Sequence, residues 1–170
     1  MGDTLITIVV IGLGAILLFV FPLISASEMN DSEVLAMVQS YTTEFTSNAR
    51  MEGKITPQMY DEFVQKLNAT GNTYDIEIEV HNPDNNAKKK ENIHIGDTTS
   101  FYIDYTSQIM NELGADSSYL LQEGDYIVVY VKNTNTLISE MFKVAIYGIS
   151  HDTSAKIVAQ ASGLVAQTGN

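Results

Sequence analysis

Residues 4–27 read TLITIVVIGLGAILLFVFPLISAS, a stretch without one charged side chain. From Leu5 to Ile24 it is almost continuously Leu, Ile, Val and Phe. About 20 such residues, rising 1.5 Å each, span roughly 30 Å, the thickness of a bilayer's hydrocarbon core. A helix apolar on every face has no use on the surface of a soluble domain of this size. The run therefore predicts a transmembrane helix that holds the remainder of the chain at a membrane surface.

That division sets the organisation. Residues 1–27 are the hydrophobic segment, 28–166 an α+β domain on the extracytoplasmic side, and 167–170 a flexible tail. The chain has 170 residues, room for an anchor and one domain that closes its own core. All nine basic residues, and every acidic residue except Asp3, lie from Glu28 onward. A net charge of -12 argues against nucleic acid, whose phosphates are gripped by Lys and Arg. It also argues against the domain lying flat on an anionic membrane. Cysteine is absent, which excludes disulfides and thiolate chemistry and is compatible with a bacterial surface protein.

Three fates are open to the segment. As a signal peptide it would be cut near Ser25-Ala26-Ser27, although its apolar run exceeds the usual length and lacks a basic leader. As a permanent anchor it has the right length, giving a single-pass protein of the cell membrane. As a prepilin it would be trimmed near its start and kept. No Lys or Arg precedes it and the first one after it is Arg50, so the positive-inside rule has little to count. The acidic domain favours N-inside, C-outside. Pro22 removes a helical hydrogen bond late in the span and predicts a kink there. Gly12 and Gly14 make a small notch where another helix can approach, or are ordinary membrane-helix glycines.

Beyond the segment, Val34, Val38, Tyr41 and Phe45 recur at spacings of four, three and four, with Leu35 beside them. That predicts an amphipathic helix over Glu28–Arg50 continuing from the anchor and packed on a sheet. Thr56-Pro57 opens a second helix with Met59, Phe63 and Leu67 on its apolar side, closed by Gly71. Tyr74 to Val80 alternates as a strand with one acidic face. Residues 82–90 form a polar loop, and a second strand lies within Asn92–Ile103. A short helix over Tyr105–Leu113 is capped by Gly114. After the turn Glu123-Gly124-Asp125, Tyr126–Val131 is apolar on both faces, as in a central strand covered on both sides. Leu137–Tyr147 fits a helix stopped at Gly148. Ser154–Leu164 is a last strand whose Ala155, Ile157, Ala159 and Ala161 share a face. The predicted sheet is mainly antiparallel.

Residues for chemistry are sparse. His81, His94 and His151 each lack a second ligand at metal-binding spacing and read as edge or solvated histidines. Asp75, Glu77 and Glu79 form an exposed acidic stripe by strand alternation, with weak cation binding the other reading. The stretch His81 to Asn86 has oxygen ligands without the spacing of a calcium loop. Lys88, Lys89 and Lys90 are a solvated loop tip or a contact for an acidic partner or cell-wall polymer. No phosphate-cradling loop or nucleophile elbow is present. No catalytic residue, cofactor or metal is expected, and the chain reads as a non-enzyme.

Two stretches carry a resemblance. Gly2-Asp3-Thr4-Leu5-Ile6-Thr7-Ile8-Val9-Val10-Ile11 is similar to a prepilin start. Glu123-Gly124-Asp125 leads into a Val-rich strand, an interruption, and Thr153-Ser154-Ala155-Lys156-Ile157-Val158-Ala159. Together they resemble type IV pilin-like proteins, in particular the TadE-like pseudopilins of tight-adherence systems. The resemblance implies cleavage after Gly2, with Asp3 as the first mature residue. It also implies an envelope location and assembly with other pilin-like subunits or copies of itself through the hydrophobic helix. The leader here is only Met1-Gly2, and Thr7 stands at the fifth mature position, where the family usually has Glu. The expected function is a structural subunit of a bacterial surface filament or secretion-type assembly. The alternative is a membrane-anchored binding or accessory domain that joins no filament.

Overall fold

The computed structural model describes residues 2–83, 101–114, 117–148 and 157–169. The N-terminal helical run comprises α1 (Gly2–Ala15), a π-helical turn (Ile16–Val20) and α2 (Phe21–Glu52). Next come β1 (Lys54–Ile55), α3 (Pro57–Asn68), β2 (Tyr74–Pro83), β3 (Phe101–Tyr105), α4 (Thr106–Leu113) and β4 (Tyr119–Leu120). The described elements end with β5 (Tyr126–Asn133), α5 (Ile138–Tyr147) and β6 (Val158–Leu164).

The chain divides into two compact units. One consists of Met1–Ala36 with Thr136–Ser154. It holds the apolar first part of the run Gly2–Glu52, the one helix among the described residues that is long and apolar enough to cross a membrane. Where a kink is expected, the helix carries a π-helical turn just before Pro22. Phe21 donates its backbone N–H to Ile16, one residue further back than in an α-helix. Pro22 comes directly after, and its ring lacks an N–H and crowds the carbonyl four residues earlier. Widening the preceding turn accommodates it. In the same unit α5 is tied to α2: Ser139 donates its hydroxyl to Asp31, and Lys143 pairs with Glu28. Gly148 stops α5 in the left-handed conformation, its N–H bonding the Val144 carbonyl at 3.0 Å.

The other unit, Met37–Asn135 with Ala155–Asn170, is the α+β body. Its main sheet has the order β3-β2-β5-β6, every neighbour antiparallel, and β1 pairs with β4 in a separate two-stranded ladder. Ile78 lies opposite Val129, which lies opposite Ala161; Val80 lies opposite Ile127. These residues and Val131 make the inner face, and Ile78, Val80, Ile127, Val129 and Val131 are wholly buried. Each such side chain contributes about 1.5–3 kcal/mol relative to exposure.

From Met37 on, α2 packs on this sheet. Val38, Thr42, Phe45, Thr46 and Ala49 are buried, and Tyr41 is half-buried. Gln39 donates from Nε2 to the Gln160 carbonyl at 2.9 Å, and Arg50 from Nε to the Leu164 carbonyl at 2.6 Å. The side chains of α2 thus engage carbonyls of β6, an edge strand of the sheet. Phe45 stacks on Phe63 of α3 with ring centroids 4.6 Å apart. Thr56 caps α3, its hydroxyl accepting from the Met59 N–H at 3.1 Å.

Several expectations need adjusting. Leu35 is exposed, whereas Thr42 and Thr46 line the buried stripe. Their hydroxyls donate to the carbonyls of Val38 and Thr42, four residues back, at 2.7 Å each. With its hydroxyl spent on its own helix, a threonine presents a methyl to the core. The strand Tyr126–Val131 is central, but its outer row is only partly covered: Val128 is buried, Tyr130 half-buried and Tyr126 exposed. The expected loose tail is held over residues 167–169. Thr168 accepts from the Glu123 N–H at 3.2 Å, and Gly169 donates to the Leu121 carbonyl at 3.0 Å. The polar loop from residue 84 and the second strand before residue 101 lie outside the described residues.

Candidate functional site

The residues singled out at the N-terminus fall on one helix. Gly2 and Asp3 open α1, and the Thr7 hydroxyl donates to the Asp3 carbonyl at 2.7 Å. Side chains of the run are exposed all round: Leu5, Ile8, Ile11, Leu18 and Phe19 each leave well over half of their surface uncovered. Such a surface is unfavourable in water and suited to lipid or to other helices. Gly12 and Gly14 lie on the same helix, and a Cβ built at either meets no atom within 4 Å. Among the described residues the notch is therefore open to an added Cβ.

The α+β body carries a cleft of about 510 Å³ between the end of β2, β3 and the segment around β4. At its floor Asp104 accepts from the Tyr119 hydroxyl at 2.6 Å and from Asn82 Nδ2 at 3.2 Å. Burial and then the Asp104 hydrogen bond push the Tyr119 phenol well above its ordinary range. Tyr119 thus serves as a donor that stays protonated. Asp125 is buried nearby and accepts from the Gln122 N–H at 2.7 Å; burial raises its carboxyl above the ordinary value, partly offset by that bond. Glu112 and Glu123 stand at the rim. Local sequence patterns hold no sign of this cluster, because Asn82, Asp104 and Tyr119 meet only through β-pairing and chain reversal.

The other candidates stay apart. His81 lies within 3.1 Å of Glu79 and edge-on to Tyr126, on the outer face of the sheet. Asp75 and Glu77 are exposed on that face, as alternation predicts, and Glu79 is half-buried. His94, His151 and Lys88–Lys90 lie outside the described residues. Among the described residues no group of three or more His, Cys, Asp or Glu is placed to hold a metal ion. Compared with protein-family models, with curated proteins and with solved structures, the chain matches none.

Proposed function

We propose that the chain is a pilin-like structural subunit, anchored by its N-terminal helix in a cell membrane with the acidic α+β body outside. One observation carries this reading. A single helical run, broken only by a π turn, exposes an uncharged apolar surface over its first half and serves as the spine of a sheet over its last. That economy suits a subunit whose helix joins other helices while its body faces the exterior. The prepilin-like start adds to it, with Gly2 as the processing residue and Asp3 as the first mature one. The role is structural and not catalytic, and the partners are lipid and other pilin-like subunits or copies of the same chain.

Association then runs through the helix, since bodies carrying nearly the whole net charge of -12 repel one another at low salt. Inside lipid, helices meet by close packing, for which the Gly12 and Gly14 notch leaves room. The test is crosslinking in membranes of wild type and of Gly12→Leu with Gly14→Leu. The double variant should insert normally and crosslink less. A wild type that stays monomeric in its native membrane overturns the pilin reading. The 510 Å³ cleft favours a second reading, an anchored accessory domain that binds a ligand, and monomeric behaviour would leave that one standing.

A further inference from the structure

The π-helical turn before Pro22 leaves one backbone acceptor unmatched. In an α-helix the Leu17 carbonyl takes the N–H of residue 21, and in a π-helix that of residue 22. Phe21 gives its N–H to Ile16, and Pro22 has none to give. The Leu17 carbonyl therefore has no backbone donor in its own helix. Beside it lies a shallow groove of about 330 Å³ lined by Leu17, Phe21, Pro22 and Ser25. The Thr7 and Ser27 hydroxyls donate to carbonyls of their own helix, whereas the exposed Ser25 lines this groove.

One groove thus presents an acceptor at one end and a hydroxyl donor at the other. Within one chain the two cannot meet, because they stand about 8–10 Å apart along the helix axis. Lipid tails bring no donor. An unmatched carbonyl at membrane depth is costly and is met by a neighbouring helix, a hydroxyl or an ordered water.

We propose that this groove is where a second copy of the chain docks, its Ser25 hydroxyl donating to the Leu17 carbonyl. The inference rests on the pilin-like reading and names the helix face through which its subunits meet. The occupant is a second copy because the donor that the groove needs is carried by the same helix. The donating copy then sits about 8–10 Å deeper than the accepting one. The uncharged run 4–27 allows most of that shift: at about 36 Å it exceeds a hydrocarbon core of roughly 30 Å. Neighbours can therefore stand at different depths. Donor and acceptor ends are different patches, so the contact is heterologous, and repeated with an axial shift it builds an open, staggered array.

The test is resonance energy transfer between full-length copies in phosphatidylcholine vesicles, whose headgroup brings no hydrogen-bond donor, over a range of protein-to-lipid ratios. The chain has no cysteine, so Gln58→Cys on the exposed side of α3 takes the dyes. In that background Ser25→Ala should weaken association about three- to twentyfold, the size of one interhelical hydrogen bond, and Ser25→Thr should keep it. Pro22→Ala supplies the missing N–H and lets the run close as an α-helix. It should weaken association to a similar extent, and adding Ser25→Ala should then change nothing. Association that survives Ser25→Ala, or a Ser25→Ala loss just as large beside Pro22→Ala, overturns the docking groove and leaves helix association by another face. Wild type that stays monomeric at every density overturns the pilin-like reading as well.

Discussion

Arg50 in the last turn of α2 lies directly over Gly163 of β6: a Cβ built on the glycine would come within 2.5 Å of the guanidinium. The same guanidinium donates to the Leu164 carbonyl at 2.6 Å, joining the end of the helix to the edge of the sheet. Gly163→Ala should displace Arg50 and lose that bond, at a cost of about 1 kcal/mol. A double-mutant cycle checks the cause: in an Arg50→Ala background the glycine substitution should be nearly free. Additive losses would mean that the glycine matters for another reason.

Gly53, just beyond α2, is tighter still. Its φ is +66°, and an added Cβ would lie 2.3 Å from the Gln167 carbonyl oxygen and 2.5 Å from the Gly169 nitrogen, both backbone. Gly53→Ala should cost about 1–3 kcal/mol from the left-handed backbone alone, and more because the C-terminal segment must move. Limited proteolysis should find residues 167–169 newly cleavable in the variant and protected in wild type. Equal protection would contradict the tail contacts.

The inner and outer faces of the sheet should tolerate charge very differently. Val129 is wholly buried between Ile78 and Ala161, so Val129→Asp should cost about 3–5 kcal/mol. Glu77 is exposed beside Asp75 and Glu79, and Glu77→Lys should change stability by less than about 0.5 kcal/mol. Thermal unfolding of the full chain in detergent reads both.

Asp125 gives a pH signature. Burial raises its carboxyl in the folded state, so folding favours the protonated form. Its contribution to stability is therefore best at low pH and worsens as pH rises through the ordinary carboxylate range to the raised folded value. Asp125→Asn keeps an acceptor for the Gln122 N–H and removes the ionisation. The variant should gain on wild type as pH rises through that window and hold a constant advantage above it. A gap that is flat with pH would show that Asp125 titrates normally.

Much of the fold is legible from local pattern. Thr56-Pro57 marks the start of α3, the alternation of Tyr74–Val80 gives β2 and its acidic outer face, and Gly114 and Gly148 end their helices as expected. Each signal works because the constraint is local: a cap, a two-residue period, a glycine torsion. The features that local pattern does not carry depend on distant chain. Thr42 and Thr46 look polar until their hydroxyls are spent on the helix itself. Gly53 and Gly169 look ordinary until the tail returns to them. The cluster of Asp104, Tyr119 and Asn82 is assembled by strand register, which no short pattern encodes. The seating of α5 is of the same kind. Its periodicity is plain, but which side faces protein is decided by Glu28 and Asp31, more than a hundred residues earlier.

The most direct test of a pilin-like subunit is the intact mass and N-terminal sequence of the protein recovered from its native membrane. Processing after Gly2 yields a chain that begins at Asp3 and retains the whole apolar helix. Membrane-bound protein beginning at Met1 would contradict processing and leave a plain anchor, and a soluble chain beginning at Glu28 would contradict the anchor itself.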